Sequence, residues 1–327
     1  MNILITGGLG FIGSNLTSYL YKKQNIKKII IIDNFNNSSL GYLESICKFK
    51  YFNKSSKFKK TNDKIVVIKE DVGNYNFALE ITKNIDYIVH LAAESGIDVS
   101  INQPKKSFDV NVTGTFNYLN AAKTNKVKKF IFASSGAVFG NLTPPIKVDA
   151  IREPISPYGS SKLSMESYCE TYSQVFDIGV CILRFSNAYG AYSHHKNSVV
   201  SQFIKNILSK KAIIINGNGA HTRDYIFAED LVRAIYKSII SRKKLEIFNI
   251  STGTQTSINK LLNEMIKKFK EYDIFIPRVM KAENRKGDIK FSSMSNQYAR
   301  KKLDWNIKFS LSKGLNKTIE WFISEKK

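Results

Sequence analysis

The sequence is poor in cysteine, proline and long apolar runs. Its 327 residues include three cysteines (Cys47, Cys169, Cys181) and six prolines. An odd number of cysteines without a CxxC spacing argues against a disulfide framework and a zinc site, and favours reduced thiols in the cytoplasm. No apolar run approaches the roughly 18–20 residues that cross a bilayer, so we expect no membrane segment. The chain starts directly with a strand-like pattern, and we expect no signal peptide.

Acidic residues are scarce beside basic ones. The chain has 27 Asp and Glu against 50 Lys and Arg, which gives a formal net charge of +23. Such an excess can serve nucleic-acid binding. Here the lysines are spread along the whole chain among Asn and Ile, and no predicted helix carries a basic stripe with interleaved aromatic residues. We therefore expect no nucleic-acid partner and, for local arginines, a small anionic substrate.

Short apolar runs alternate with helical patterns over the first 185 residues. The chain is 43% apolar and long enough to bury a full core. Near-continuous apolar strands separated by helices indicate a parallel sheet covered on both faces. We therefore predict an α/β fold with a doubly wound, Rossmann-type sheet. The predicted strands are 2–6, 28–33, 65–69, 86–91, 128–133 and 180–185, and the predicted helices lie near 11–23, 74–83, 104–124 and 157–176.

The later chain has a looser rhythm, which indicates a smaller mixed α/β lobe. We assign 1–185 to a cofactor-binding domain with later returns near 212–250, and 186–211 with 251–327 to a substrate-binding lobe. The Lys-rich stretch 41–64 is predicted to be a surface helix and loop. The later predicted helices are 198–210, 228–241, 257–270 and 311–324, with short strands near 212–216 and 246–250.

The stretch TGGLGFIGSNL at 6–16 lies between a predicted strand and a predicted helix. It fits GxGxxG through Gly8, Gly10 and Gly13, and equally GxxGxxG through Gly7, Gly10 and Gly13. Glycines let the backbone turn tightly and approach a pyrophosphate, and a helix N-terminus favours its negative charge. In this strand–turn–helix context the pattern predicts a dinucleotide site.

Asp33 ends the second predicted strand, twenty residues after Gly13. A carboxylate at this place can accept a hydrogen bond from the 2′-hydroxyl of an adenosine ribose. It would repel a 2′-phosphate, and the following Asn34 offers no positive charge to compensate. We therefore predict NAD as the cofactor, in preference to NADP.

Tyr158 and Lys162 in SPYGSSK lie four residues apart on a predicted helix, so they share a face. Tyr is a poor base at neutral pH, with a free pKa of about 10. A nearby ammonium and the charge of a nicotinamide would stabilise the phenolate and lower that pKa. The pair could therefore move a hydroxyl proton during hydride transfer. The YxxxK spacing alone also arises by chance in a Lys-rich chain.

Together these motifs resemble the extended short-chain dehydrogenase/reductase family, and within it the branch of nucleotide-sugar epimerases and dehydratases. The N-terminal motifs are TGGLGFIGSNL, Asp33, HLAAES at 90–95, ASSGAVFG at 133–140 and SPYGSSK at 156–162. The later ones are LRFSNAYG at 183–190, GNGAHTRDYIFAEDLVRAI at 217–235, FNISTGTQTSI at 248–258 and NRKGDIKFS at 284–292.

The resemblance implies roles for individual residues. Ser135 hydrogen-bonds the sugar O4, Tyr158 is the catalytic base, and Lys162 holds the nicotinamide ribose and lowers the Tyr pKa. The cofactor-binding positions it implies are Gly7, Gly10, Phe11, Ile12, Gly13, Asp33, Asn34, Asp71, Val72, Leu91, Ala92, Ala93, Asn111, Tyr158 and Lys162. The substrate-binding positions are Ser135, Asn187 and Arg223 with Arg285 for the diphosphate, Asp288 near the nucleoside ribose, and Ser292 beside the sugar.

The two residues after Ser135 bear on the reaction. In the family, 4,6-dehydratases carry Asp-Glu there, and dehydration needs extra acid and base groups. Here the residues are Gly136 and Ala137, which cannot transfer a proton. We therefore predict an NAD-dependent 4-epimerase that forms a 4-keto sugar and returns the hydride. The small Ser292 predicts tolerance of UDP-GlcNAc and UDP-GalNAc besides UDP-Glc and UDP-Gal.

Other readings stay open at this stage. Within the branch, the protein could be a uronate epimerase, a 4,6-dehydratase or a decarboxylase. The alternative that is not an enzyme is an NAD-binding sensor. The resemblance also implies a homodimer through the helices at 104–124 and 157–176. The adjacent His194 and His195 lack a carboxylate at helical spacing, so we expect a substrate-loop role and no metal.

Overall fold

A computed structural model describes residues 1–283 and 289–325. Its strands, in chain order, are β1 (Asn2–Thr6), β2 (Lys28–Asp33), β3 (Lys50–Phe52), β4 (Ile65–Lys69), β5 (Tyr87–His90), β6 (Lys129–Ser135), β7 (Gly179–Phe185), β8 (Asn187–Tyr189), β9 (Ile213–Asn216), β10 (Thr222–Arg223), β11 (Tyr225–Phe227), β12 (Leu245–Ile250), β13 (Thr256–Ser257) and β14 (Val279–Ala282). Eight of them form one sheet in the order β12-β7-β6-β5-β1-β2-β4-β3. Every neighbouring pair in it is parallel, which confirms the predicted doubly wound α/β fold.

Helices cover both faces of this sheet, and further helices belong to the lobe described below. In chain order they are α1 (Phe11–Tyr21), α2 (Gly41–Glu44), α3 (Tyr75–Ile81), α4 (Ile97–Asn102), α5 (Pro104–Phe108), α6 (Gly114–Thr124), α7 (Pro157–Val175), α8 (Val199–Leu208), α9 (Ala228–Ile240), α10 (Ile258–Lys270), α11 (Gln297–Lys302) and α12 (Leu311–Ser324). A π-helical stretch, Asp109–Thr113, joins α5 to α6, so the predicted helix 104–124 forms with one widened turn.

The apolar strands supply both faces because successive side chains point to opposite sides. In β1, Ile3 and Ile5 pack with α1 and α9, whereas Leu4 between them packs with α3, α6 and α7. Both sets are fully buried. This two-sided burial explains why the strands read as continuous apolar runs instead of alternating patterns.

The Lys-rich stretch 41–64 departs from the prediction in one respect. Its helix is the short α2, but it also holds β3, which extends the sheet by pairing Lys50 with Val66 of β4. The sequence pattern does not predict β3, because this strand has only three residues and begins with Lys. Lysines are typical of an edge strand, where they discourage pairing with another chain.

Beyond the sheet, the later chain forms a lobe around its own apolar cluster. Its members come from α8, α10 and α12, such as Phe203, Leu261 and Phe322, and from the short strands β8, β9 and β11. Of the segments expected to return to the first domain, β12 forms an edge of the large sheet, but β9 pairs with β14 in the lobe. Among the described residues, no helix is long and apolar enough to cross a membrane.

Candidate active site and cofactor groove

The loop between β1 and α1 has the close approaches that require glycine. Gly7 has φ +65°, and a Cβ there would lie 2.8 Å from the Cα of Ala92. At Gly13 a Cβ would lie 2.5 Å from the Cα of Gly8, inside van der Waals contact. Gly10 is the N-cap of α1 and has no side chain that could accept hydrogen bonds from the first N–H groups of the helix. The loop therefore leaves its backbone open to a ligand, through the frame Gly7, Gly10 and Gly13.

The first turn of α1 is suited to an anion. It begins at Phe11 and Ile12, whose N–H groups have no acceptor inside a helix. No acidic side chain lies in this turn, so the positive end of the helix dipole is not neutralised. A dinucleotide pyrophosphate fits both the glycine cradle and this charge.

Asp33 lies at the rim of the glycine loop. Its carboxylate accepts hydrogen bonds from the backbone N–H of Leu9 at 3.0 Å, the N–H of Phe35 at 3.0 Å and Ser38 Oγ at 2.8 Å. The neighbouring Asn34 donates from Nδ2 to Asp71 at 2.8 Å. The structure thus brings together the predicted residues of the adenosine end.

Val72 and Asn111 are held by the helix that leads into α6. A Cβ on Gly114 would lie 2.5 Å from Cγ2 of Val72, so glycine allows this helix to approach. The Asn111 side chain is buried in the π-helical stretch. It accepts from the N–H of Glu94 at 2.8 Å and donates to Ser161 Oγ at 3.0 Å. Asn111 therefore ties the loop after β5 to α7.

The segment Leu91 to Ala93 is fixed by a buried chain of hydrogen bonds through His90. Thr115 donates to the Asn111 carbonyl at 2.6 Å, which leaves its oxygen to accept from His90 Nε2 at 3.0 Å. His90 Nδ1 then accepts from Thr6 Oγ1 at 2.9 Å, and Thr6 accepts from Ala92 N–H at 3.3 Å. Burial, and secondarily the charge of Lys162, lowers the pKa of His90 to about 3, so the ring is neutral.

Ser135 and Tyr158 meet where β6 ends and α7 begins. Ser135 Oγ accepts from the Ala137 N–H at 3.2 Å and donates to the Tyr158 hydroxyl. The approach depends on Gly159, where a Cβ would lie 2.5 Å from the Ala137 carbonyl oxygen. Ser156 caps α7 by accepting from the Gly159 N–H at 3.1 Å. The turn after β6 and the first turn of α7 therefore form one unit.

Lys162 lies one helical turn after Tyr158, as the spacing predicts. Its Nζ is buried, donates to the Ala133 carbonyl at 2.9 Å and lies 5.9 Å from the centre of the Tyr158 ring. Burial lowers the pKa of Lys162 to about 8. Burial also raises the pKa of Tyr158, although the bond from Ser135 opposes this. The expected lowering of the Tyr158 pKa by Lys162 is thus not seen in the protein alone. The surroundings of Tyr158 instead favour the neutral phenol.

A buried ionic cluster, which the sequence patterns above do not predict, lies beneath this unit. Arg184 binds Glu166 with two bonds, from Nε at 2.9 Å and from Nη2 at 2.8 Å. Ser134 donates to the same carboxylate at 2.5 Å, so it is structural and not a second catalyst. Phe139 packs under the Arg184 guanidinium at 4.8 Å. The available signal was Arg184 itself, because a charge inside the apolar run VCILRF requires a buried partner.

Met294 is a second residue that the sequence did not indicate. It is 2% exposed, and a Cβ on Gly136 would lie 3.1 Å from its Sδ atom. Its backbone is pinned because Ser251 Oγ donates to the Met294 carbonyl at 2.7 Å and Ile146 forms a bridge with it. A larger side chain at position 136 would have to displace this methionine.

The predicted substrate residues lie partly outside the described chain. Asn187 N–H donates to the carbonyl of Asp224 at 2.9 Å, and the side chain is exposed. Arg223 donates to the Ile289 carbonyl at 2.6 Å, directly after the segment 284–288. Arg285 and Asp288 fall in that segment, outside the described residues. Ser292 is half-buried, two residues before Met294.

The fold and this arrangement define an extended short-chain dehydrogenase/reductase. Residues 4–318 match the family described as GDP-mannose 4,6 dehydratase, and the chain belongs to that family. It is therefore a member of the nucleotide-sugar epimerase and dehydratase enzymes.

Three solved structures illustrate the likeness. UDP-glucose 4-epimerase of Thermotoga maritima, solved with UDP-glucose, is 30% identical with TM-score 0.87, and all of both chains is covered. UDP-N-acetylglucosamine 4-epimerase of Methanobrevibacter ruminantium, in complex with UDP-N-acetylmuramic acid, is 28% identical with TM-score 0.86, covering 99% of this chain and 98% of that one. UDP-glucuronic acid 4-epimerase of Bacillus cereus, with UDP-glucuronic acid and NAD, is 27% identical with TM-score 0.87, covering 99% and 100%. The NAD in the last agrees with the predicted cofactor.

Proposed function

We propose that this protein is a nucleotide-sugar 4-epimerase that oxidises C4 of the sugar and returns the hydride to the same carbon. The observation that carries the proposal is the turn after Ser135. Gly136 and Ala137 offer no acid or base, and a Cβ at position 136 would lie 3.1 Å from Met294 Sδ, so a side chain there would crowd this methionine. A dehydratase must remove a C5 proton and expel the C6 hydroxyl, which requires such groups.

Two carboxylates near the catalytic helix do not replace them. Glu94 follows the Leu91–Ala93 segment, and its side chain pairs with Lys106 at 2.8 Å. Glu166 is completely buried and held by Arg184 at 2.8 Å. Both are engaged by basic side chains, which favours epimerisation over elimination of water.

The catalytic step assigns one task to each residue. Tyr158 takes the proton of the sugar 4-hydroxyl, and Ser135, already bonded to the Tyr158 hydroxyl, holds the sugar oxygen beside it. Lys162 would bind the nicotinamide ribose and add positive charge near the phenolate. When bound, NAD accepts and returns the hydride and contributes further positive charge. After the keto sugar has rotated to present its opposite face, Tyr158 gives the proton back and the configuration at C4 is inverted.

NAD is the form of the cofactor that the groove favours. The glycine cradle and the first turn of α1 fit its pyrophosphate, and Leu91, Ala92 and Ala93 would line the nicotinamide side. Asp33 is fixed at the loop rim, where a 2′-phosphate would meet a carboxylate.

For the substrate we propose UDP-sugars, in line with the complexes of the related epimerases. Asn187, Arg223 and Arg285 would bind the diphosphate, and Asp288 the nucleoside ribose. Ser292 would leave room for an N-acetyl group, so that UDP-Glc, UDP-Gal and their N-acetyl forms are all accepted.

A panel of nucleotide sugars tests this function. Each of the four UDP-sugars is incubated with the purified protein without added NAD, and the products are read by NMR. We expect each sugar to equilibrate with its C4 epimer. A 4-keto-6-deoxy product would contradict epimerisation, and turnover of the non-acetylated pair alone would contradict the assignment of Ser292.

We also propose a homodimer through the helices around α5 and α7. These helices and α4 expose apolar side chains, namely Ile97, Ile101, Phe108, Tyr168, Val175 and Phe176. A groove of about 580 Å³ lies between them, lined by Phe108, Val112 and Pro157. A second copy of the chain would cover this surface.

The three free cysteines are consistent with the proposed cytoplasmic location.

A further inference from the structure

The segment 191–196, which we name the strap, connects β8 to α8 and touches the glycine helix at its start. Asn15 Nδ2 donates to the Ala191 carbonyl at 2.9 Å. One turn further along α1, Ser18 hydrogen-bonds the Tyr192 hydroxyl. The strap is thus anchored on the helix whose N-terminus would hold the cofactor pyrophosphate.

The other end of the strap reaches the loop after β5, which follows the proposed cofactor-lining segment Leu91 to Ala93. Lys196 Nζ donates to Ser95 Oγ at 2.9 Å. Ser95 follows Glu94, whose N–H and carbonyl are both bonded by Asn111, at 2.8 and 3.1 Å. Asn111 in turn contacts Ser161, three residues after Tyr158. The strap therefore runs from the glycine helix to the loop beside the catalytic helix.

Three aromatic rings fasten the middle of the strap, and we call Tyr42, Tyr192 and Trp321 the clasp. Their ring centres lie 5.6 Å (Tyr42 to Tyr192), 5.5 Å (Tyr42 to Trp321) and 5.4 Å (Tyr192 to Trp321) apart. At these distances each ring touches the other two, so the clasp is a packed contact and not a cage for a ligand. Tyr42 also accepts a bond from the His194 backbone N–H.

The clasp joins parts of the chain that are distant in sequence. Tyr42 comes from α2, in the stretch after Asp33, and Trp321 comes from α12 of the lobe. On the lobe side, Lys205 donates to the carbonyls of His194 at 3.1 Å and Lys196 at 2.9 Å. The strap is therefore held by residues of the first domain on one side and by residues of the lobe on the other.

We propose that the strap, locked by the clasp, is a retaining device that keeps the dinucleotide on the protein between turnovers. An enzyme that oxidises and then reduces the same sugar must keep its reduced cofactor between these two steps, and a cofactor that stays bound is ready for the next sugar. Tyr42, Tyr192, Trp321 and Lys196 act as positioning residues, since they hold the strap and do not touch the reacting atoms. This inference rests on the proposed NAD site and not on the identity of the sugar.

The test measures release of the cofactor without any sugar. Protein loaded with NADH is chased with excess NAD, and the loss of bound NADH fluorescence gives the dissociation rate. We expect Tyr192→Ala to release NADH at least about tenfold faster. Tyr192→Phe keeps the ring of the clasp but loses the bond to Ser18, so its release rate should lie between those of Tyr192→Ala and the wild type. Tyr272→Ala is the matched control, because Tyr272 also contacts α12, through Glu320 at 2.9 Å, but not the strap.

A second measurement separates retention from a general structural defect. With saturating NAD in the buffer, Tyr192→Ala should regain most of its turnover, because only retention is weakened. A folded Tyr192→Ala that releases NADH at the wild-type rate would overturn the inference. If that variant does not fold, Lys196→Met tests the other anchor, and wild-type release there would equally overturn it. Loss of epimerase activity with normal retention would contradict the proposed function instead.

Discussion

At the scale of single residues, the proposed mechanism depends on the phenol of Tyr158, which its buried surroundings keep protonated. Burial raises the pKa of Tyr158, and the bond from Ser135 counteracts this only in part. The phenol becomes a competent base when further positive charge arrives beside it. In the proposed mechanism, proton transfer to Tyr158 therefore requires the positive charge that a bound nicotinamide would supply.

Replacing Tyr158 by Phe should lower turnover by at least about 100-fold, because the change removes the proposed base for the 4-hydroxyl proton. NAD should remain bound, since the glycine loop and Lys162 are unchanged. The measurement is epimerase turnover together with the NAD content of the purified protein. Tyr272→Phe serves as the control, and full activity of Tyr158→Phe would refute its role as base.

Lys162 makes a prediction about stability and pH. Its pKa is lowered from 10.5 to about 8 by burial, so between these values the unfolded chain binds more protons than the folded one. Stability of the NAD-free protein should therefore rise with pH from 8 to 10.5 through this group. Lys162→Met should lack that rise, which urea unfolding at several pH values would measure. Identical pH dependence in both proteins would contradict the shifted pKa.

The sequence did not predict contacts between residues that are distant in the chain. Tyr158 and Lys162 were readable because they share a helix face. Met294 was not, since its contact with Gly136 depends on how the segment after 288 returns across the end of β6. The same holds for the bonds between Glu166 and Arg184, which join a helix to a strand 18 residues later.

At the scale of elements, the site is the meeting of a helix and a turn. The first turn of α7 touches the turn 136–139 because Gly159 has no side chain. The strands and most helices were predictable from their apolar patterns. The edge strand β3 was not, because three residues with a leading Lys carry too little pattern. The π-helical turn around Asn111 was also not predictable, since it depends on packing against α7.

Gly159→Ala should separate these two elements. The new Cβ would lie 2.5 Å from the Ala137 carbonyl oxygen, so the helix must shift away from Ser135. We expect a loss of about 1–3 kcal/mol in the free energy of unfolding. Turnover should fall by about tenfold or more, because the catalytic geometry is displaced.

The matched control is Gly41→Ala, where the nearest atom to a new Cβ is Ser39 Oγ at 3.7 Å. It should leave turnover unchanged. Kinetics and thermal or urea unfolding of the two variants give the comparison. Wild-type turnover in Gly159→Ala would show that the close contact does not position the catalytic residues.

At the scale of the whole molecule, the helices α4, α5 and α7 together expose a group of apolar side chains. Phe108 is 56% exposed and lines the groove between α5 and α7. Phe108→Glu would place a charge in the proposed dimer interface, where it could not be solvated. We expect the variant to be a monomer by light scattering and the wild type a dimer.

Phe275→Glu is the control for that experiment. Phe275 is 66% exposed but belongs to the lobe, away from the proposed interface. It should remain dimeric. A wild-type protein that is monomeric at micromolar concentration, or a dimeric Phe108→Glu, would contradict the proposed interface.

The most direct test of the central claim follows a deuterium label through one turnover. A UDP-sugar deuterated at C4 is incubated with the protein, and NMR locates the label in the product. Because the hydride returns to the carbon that it left in the proposed reaction, we expect the C4 epimer with deuterium still at C4. Deuterium at C6 of a 4-keto-6-deoxy sugar would show that water had been eliminated, and would contradict the account.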